Sequence, residues 1–368
     1  LPFWPLRGAG SGWIEVGLLL SVRLGVLDPA VWTDTCGRAV RARFSEGKST
    51  VSSSDLLLTA FARGRQAVDC YVSESALRKH IWGEESATER LLMAAWPEIP
   101  YAQFNRPQEK VIGADWLWWF VDRTGECFGI IVQAKKMKQT KTGLTVDFKY
   151  PNNTGQQMMN LFATARAFDL PAAYMLYCGD KEYRRDSNSW CPACSGEDSC
   201  CRRCERAGTL LLPALAADQM RSQAPSIAAE NAFRDGFPLE DAVDRSVLAE
   251  PLVRDLNIRS VDLPLRKFLV TPQYGPREIA KKMFEVVSRM RSGQFPAVAP
   301  ERPTISDEEV FIFPSTPCDS GHFRTPYYPH ILNGLRRKLP ECVETVMNGA
   351  VPPSNLSGRL TGMVVVQF

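Results

Sequence analysis

The sequence predicts an α/β fold with a mixed central sheet flanked by helices, its core running α-β-β-β-α-β, and three observations predict it. Residues 111–123 (VIGADWLWWFVDR) and 128–136 (FGIIVQAKK) are dense in β-branched and aromatic side chains, and residues 122–126 (DRTGE) between them form a turn with a glycine near its end. Residues 154–170 carry Met158, Leu161, Phe162 and Ala165 at helical spacing. Residues 172–178 are an almost wholly apolar run behind Pro171, the pattern of a buried strand.

The elements follow in order. Residues 1–79 read as an N-terminal extension with a Ser-rich patch and a helix over 54–63. The core, residues 80–180, opens with a helix over 83–96, where Ser86 and Glu89 have capping-box spacing and Leu91, Leu92, Ala95 and Trp96 give a buried stripe. The two aromatic strands come next, then a third strand over 144–150 with alternating apolar positions, then the 154–170 helix and the 172–178 strand. Residues 181–207 are a cysteine-rich insertion. Residues 208–294 continue the core with helices over 209–220 and 276–290. The C-terminal region, 295–368, holds a proline-rich linker over 296–303, a helix near 329–339 and a closing strand over 362–368.

A turn centred on Thr124 sets the register of the aromatic hairpin: Asp115 falls opposite Gln133 and diagonal to Lys135, and Gln133 and Lys135 share one face. A carboxylate and an amide oxygen are hard ligands for Mg²⁺ or Mn²⁺, and a nearby ammonium stabilises charge that develops on a phosphoryl group. That set suits metal-assisted phosphodiester hydrolysis. The bland alternative is a strand end with a solvated lysine and a structural aspartate.

Taken together, the element order, the acidic first helix, the aspartate in one strand and Gln-x-Lys in the next resemble the PD-(D/E)XK nuclease superfamily, the restriction-endonuclease-like fold. The GADW-x-WW and QAKK blocks also resemble a bacterial branch of it. The resemblance covers residues 80–180 and implies an enzyme acting on nucleic acid, DNA first, in bacterial defence or DNA processing. It makes Asp115 the metal-binding aspartate, Gln133 the occupant of the second acidic position and Lys135 the catalytic lysine. Glu85 becomes the first-helix acid, with Glu89 as its fallback, and Gln157 a helix glutamine that helps the site. Gln133 departs from the commoner glutamate, so a divalent ion is held less tightly unless Glu85 or Glu109 compensates. The rival reading is a nuclease fold without catalysis that binds nucleic acid or a protein. The resemblance leaves a homo-oligomer or a partner subunit open.

The second signal is CPACSGEDSCCRRC, residues 191–204. Cys191 with Cys194 and Cys201 with Cys204 have the spacing that holds tetrahedral Zn²⁺ through four thiolates, with Cys200 in reserve. Such a closed site is structural. Disulfide-like crosslinks are the rival, but nothing else in the chain asks for an oxidising compartment, and the cysteine usage fits a reducing cytoplasm. Arg184, Arg185, Arg202, Arg203 and Arg206 surround the cysteines, either turned to phosphates or as a solvated basic loop balanced by Asp186, Glu197, Asp198 and Glu205.

Composition is that of an ordinary globular protein, and a net charge of +3 means that any nucleic-acid surface has to be local. Candidates are Lys135, Lys136, Lys138, Lys141 and Lys149, then Arg266, Lys267, Arg277, Lys281, Lys282, Arg289 and Arg291. No membrane span is expected: the apolar stretch 13–27 contains Glu15 and Arg23 and is short. With only His80, His322 and His330, histidine-based chemistry has few candidates, and His322 and His330 read as structural.

Overall fold

A strand covered on both faces has to be apolar along its whole length, and the computed structural model builds its sheet from such runs. It describes residues 52–104, 116–141, 143–149, 155–179, 184, 201–249, 251–252, 261–292, 303–319, 323, 325–348, 350, 356 and 360–368, which belong to one compact unit, Val51–Phe368. The helices are α1 (Ser53–Leu77), α2 (Glu84–Ala95), α3 (Gln156–Phe168), α4 (Arg202–Arg206), α5 (Ala214–Met220), α6 (Pro225–Asp235), α7 (Leu263–Val270), α8 (Pro276–Ser292), α9 (Tyr327–Leu332) and α10 (Glu341–Met347). The strands are β1 (Tyr101–Gln103), β2 (Trp116–Val121), β3 (Cys127–Lys136), β4 (Lys138–Thr140), β5 (Gly143–Thr145), β6 (Ala172–Tyr177), β7 (Thr209–Pro213), β8 (Phe237–Pro238), β9 (Pro303–Ile305), β10 (Ser315–Pro317), β11 (Leu335–Arg336) and β12 (Gly362–Gln367).

Among the described residues the central sheet has eight strands, in the order β1-β12-β2-β3-β6-β7-β8, with β11 beside β3. The β12–β2 and β3–β6 pairs are parallel and the rest antiparallel, so the sheet is mixed as expected. β2 is buried throughout: Trp118 stacks on Phe61 of α1 and on Phe120 at 6.3 and 6.2 Å, while Trp119 lies across Gly129. A Cβ on Gly129 would come within 2.7 Å of that indole, so the strand pair closes only around a glycine.

Four expectations are corrected. The helix near 329–339 is only α9, which ends at Leu332, and Leu335–Arg336 is strand β11 against β3. Over 144–150 only Gly143–Thr145 is strand, and it pairs with β4 in a separate hairpin. Leu144, Val146 and Phe148 are buried as their alternation requires, but Asp147 Oδ1 accepts the Lys149 N–H at 2.8 Å and bends the chain. Between α2 and α3 the described chain therefore runs β1 to β5, of which β1, β2 and β3 belong to the central sheet and β4 and β5 to the separate hairpin. Residues 209–220 are not one helix: Thr209–Pro213 is a buried strand between β6 and β8, and α5 starts only after Pro213. Helix α2 starts at Glu84 behind Gly83 without a side-chain cap, so the Ser86–Glu89 capping box is not used, and Trp96 lies past its end, largely exposed.

Away from the sheet face, a buried ionic cluster ties distant segments together. Asp69 of α1 accepts two hydrogen bonds from Arg184 (2.8 and 2.9 Å) and one from Arg65 (3.1 Å). Arg65 also reaches Glu240 (2.5 Å), and Glu240 is shared with Arg206 of α4 (3.2 Å), which continues to Asp241 and Asp244. Burial pushes the Glu240 carboxyl up against the pull of Arg65, whereas Asp244, although partly desolvated, is held at about 2 by Ser246 and Arg206. Removing one partner of such a cluster strands the others. Asp69→Ala leaves Arg184 without its carboxylate and Arg65 with Glu240 alone, and should cost about 3–5 kcal/mol, read as a lower urea midpoint at unchanged slope.

His330 of α9 accepts the Ala172 N–H through Nε2 at 3.3 Å and lies against Phe162. Burial, and secondarily the Arg166 charge, lower its pKa from 6.5 to about 4. A base whose folded pKa lies below its unfolded value contributes stability that is complete above the unfolded pKa and is lost as pH falls through the folded one. Stability should therefore decline from pH 6.5 toward 4, and thermal melts of His330→Gln should show a shallower decline over that window.

Candidate functional site

Strand β3 has ten residues where β2 and β6 have six each, and its neighbours divide its length. β2 pairs with Cys127–Val132 and β6 with residues 131–136, so Gln133 to Lys136 run on past the described part of β2. Within the hairpin Trp116 faces Val132 and Trp118 faces Ile130, the register expected from a turn at Thr124. That turn is held by Asp122, whose Oδ1 accepts the N–H groups of Thr124 and Glu126, and by Gly125 at φ 86°.

The two faces of the overhanging end meet different helices. On one, Lys135 is 9% exposed and its Nζ donates to Gln157 Oε1 of α3 at 2.8 Å. Gln133, on the same strand face, is 1% exposed. On the other, Lys136 Nζ donates to the Trp82 carbonyl at 2.8 Å and lies 5.3 Å over the Trp82 ring. The Lys136 N–H donates to Glu84 Oε1 at 3.0 Å, fastening the start of α2 to the end of β3.

Of the expected residues, Lys135 and Gln157 are brought into contact and Gln133 shares their strand face. Asp115 and Glu109 lie outside the described residues. Glu85 is exposed in the first turn of α2, and Glu89 is half-buried, accepting from Gln103 at 3.4 Å. Glu84 of α2, which the sequence did not single out, reaches β3. Its signal was helical phase: Glu84 lies one turn before Thr88 and two before Leu91, on the stripe that packs inward.

Cys191, Cys194 and Cys200 lie outside the described residues. Cys201 caps α4, its Sγ accepting the Cys204 N–H at 3.5 Å, and Cys204 is buried, so these two sulfurs sit on one tight turn. Among the described residues no group of three or more His, Cys, Asp or Glu is arranged to hold a metal. Burial pushes the Cys127 and Cys178 thiols up to about 12, which removes both as nucleophiles at neutral pH.

Of the described arginines near the cysteines, Arg184, Arg203 and Arg206 bond internal acceptors, which fits neither the phosphate-facing nor the solvated reading that the sequence left side by side. Arg184 is 1% exposed and held by Asp69 and the Gly179 carbonyl. Arg203 donates to the carbonyls of Phe233, Arg234 and Gly236, Arg206 belongs to the buried cluster, and the more exposed Arg202 bonds Ser246. Arg185 lies outside the described residues. The later basic run is also engaged: Lys281 and Lys282 are buried, and Arg277 forms a two-pronged pair with Glu126 at 2.6 and 2.7 Å. Beside the candidate site, Lys138 and Lys141 of the β4–β5 hairpin remain exposed.

A family model matches residues 65–366, from the first arginine of the buried cluster into the last strand of the sheet. The chain belongs to DUF6615, a family of unknown function. The DUF6615 match takes in every described strand of the central sheet and with it the overhanging end of β3. No curated protein matches the sequence. Nor is any described helix of this DUF6615 chain long and apolar enough to cross a membrane.

The Lys135–Gln157 contact makes a direct prediction. Gln157→Leu removes an acceptor from a nearly buried ammonium and should cost about 1–3 kcal/mol. The same change at the exposed neighbour Gln156 should stay within about 0.5 kcal/mol. Paired urea titrations of the two variants compare them.

Proposed function

We propose that this protein is a divalent-metal-dependent nuclease that hydrolyses DNA phosphodiester bonds, in the cytoplasm, in bacterial defence or DNA processing. The observation that carries the reading is the end of β3, where a buried amide and a nearly buried lysine share one face and α3 grips the lysine head. A strand end of this kind, on a rigid sheet and beside exposed lysines, is a suitable platform for a phosphodiester.

The donor set fits a hard divalent ion: the Gln133 amide oxygen, with carboxylates from Asp115 and Glu85, would hold Mg²⁺ or Mn²⁺. When bound, the ion polarises the phosphoryl oxygens and lowers the pKa of a bound water. Gln157 fixes the Lys135 ammonium in place, and an ammonium so fixed stabilises negative charge that grows on the phosphoryl group. Glu84 holds the backbone of Lys136 and so keeps this strand end from fraying. The cysteine segment is read as a structural Zn²⁺ site of Cys191, Cys194, Cys201 and Cys204, in keeping with the N–H···S bond inside its second pair. A homo-oligomer or a partner subunit that supplies specificity is compatible with this reading.

One observation favours a second reading. Gln133 is neutral and almost wholly buried, and a site short of one carboxylate suits a module that binds nucleic acid or a protein without cutting. Cleavage of plasmid and single-stranded DNA with Mg²⁺ or Mn²⁺ separates the two. The nuclease reading expects Asp115→Ala and Lys135→Ala each to abolish cleavage in a chain that still folds; wild-type rates in both sink it. Gln133→Glu should keep activity and shift the metal titration to lower concentration, and an unchanged requirement removes residue 133 from the ligand set. Elemental analysis after reducing, chelator-free purification should find one zinc per chain, lost in Cys191→Ser.

A further inference from the structure

Between the end of α3 and helix α9 lies an open cleft of about 150 Å³, with Phe162, Arg166, Asp169, Leu170, Pro329 and His330 in its walls. It is separate from the end of β3: Gln157, which holds Lys135, is in the first turn of α3, and Phe168 closes the helix about 16 Å further along at the usual rise per residue. Two opposite charges line the cleft without meeting. Arg166 and Asp169 are three positions apart, a spacing at which a basic and an acidic side chain on one helix pair. Arg221 and Asp218 do so at that spacing, and Arg65 and Asp69 at the next. Among the described residues Arg166 has no ion-pair partner, and Asp169 is met by the Asn333 amide, whose Nδ2 donates to Oδ1 at 2.9 Å. The cause is local: Asp169 closes α3 in the left-handed region, at φ 55°, which takes its side chain out of helical phase. A carboxylate there also stands at the negative end of the helix, where it does nothing for the stability of α3. The wall between the two charges is apolar, made by Phe162, Leu170 and Pro329. His330 adds a donor. Its Nε2 accepts the Ala172 N–H, so the neutral ring carries its proton on Nδ1, close to the Arg166 charge.

We propose that this cleft binds a free α-amino acid with a compact apolar side chain, Arg166 taking its carboxylate, Asp169 its ammonium and the apolar wall its side chain. The site does not rest on the nuclease reading. A guanidinium fork matches the two oxygens of a carboxylate, and the Asp169 oxygen that Asn333 leaves open accepts from an ammonium. The two charges also select: a simple carboxylate would face Asp169 and a simple amine would face Arg166, whereas a molecule with both groups satisfies both. Volume sets the size, because an apolar cavity of about 150 Å³ takes one molecule as large as benzene, which suits a branched aliphatic side chain with its charged end at the open rim.

The test is calorimetric titration of the full chain with L-leucine, with 4-methylpentanoate, which lacks the ammonium, and with 3-methylbutylamine, which lacks the carboxylate. Wild type should bind leucine, and each analogue at least about tenfold more weakly, the share of one hydrogen bond between charged groups. Arg166→Gln should weaken leucine about tenfold and leave 3-methylbutylamine no weaker. Asp169→Asn, an exchange that a left-handed helix end accepts, should weaken leucine to a similar degree and leave 4-methylpentanoate no weaker. Both side chains are exposed, so both variants should fold as wild type does. A reading that needs no variant is the histidine region of the wild-type NMR spectrum, where leucine should move the ring resonances of His330. Absence of leucine binding by wild type, an analogue that binds as tightly as leucine, leucine affinity unchanged in either variant, or His330 resonances that leucine leaves in place would each overturn the assignment.

Discussion

The constraint on which the rest of the structure depends is the length of β3. Among the described residues β3 has ten residues and its neighbours β2 and β6 six each, so β2 and β11 pair with its first half and β6 with its second. The division puts the burial of the aromatic hairpin and the placement of the polar end under separate control. Trp118, Trp119 and Phe120 are locked by packing at one end. Gln133 and Lys135 are presented at the other, past the described part of β2, where side chains from α2 and α3 reach the strand. Lys135 and Lys136 there are held by Gln157, Glu84 and the Trp82 carbonyl, which is what a site on a sheet needs if its groups are to keep fixed positions.

The second organising element is the buried charge cluster. Four segments far apart in sequence meet at Asp69 and Glu240: the middle of α1, the stretch after β6 that holds Arg184, the short helix α4, and the turn over Leu239–Ala242. Ion pairs of this kind contribute little net stability compared with apolar packing, but they tolerate few alternative arrangements. Their effect is to fix α4, and with it Cys201 and Cys204, relative to the end of β6. Gly208 belongs to the same arrangement, because a Cβ there would meet Asp69 Oδ1 at 2.8 Å.

Much of this was legible in the sequence where a pattern has one physical meaning. The aromatic hairpin, its register, helix α3 and strand β6 followed from alternation, turn chemistry and helical spacing, and the Lys135–Gln157 contact joins two residues singled out beforehand. What could not be read had a physical reason in each case. Thr209–Pro213 is a short apolar run, and such a run packs equally well as strand or helix until its neighbours are known. β1 is three residues long, below the length at which alternation carries information. The arginines beside the cysteines looked like a basic surface because their carboxylate partners, Asp69, Glu240, Asp241 and Asp244, are distant in sequence. Glu84 and Glu85 differ by one position, and only the phase of α2 tells which of them turns inward.

The place of β12 has a consequence for how the chain reaches this fold. β12 lies between β1 and β2, parallel to β2, although it is the last strand in the sequence. While the protein is being made, the Trp116–Val121 strand therefore emerges long before the segment that will cover its open edge. Until then it presents unsatisfied backbone groups flanked by tryptophans, a surface prone to pair with the wrong partner. Completion of the sheet is an event that follows translation of nearly the whole described chain.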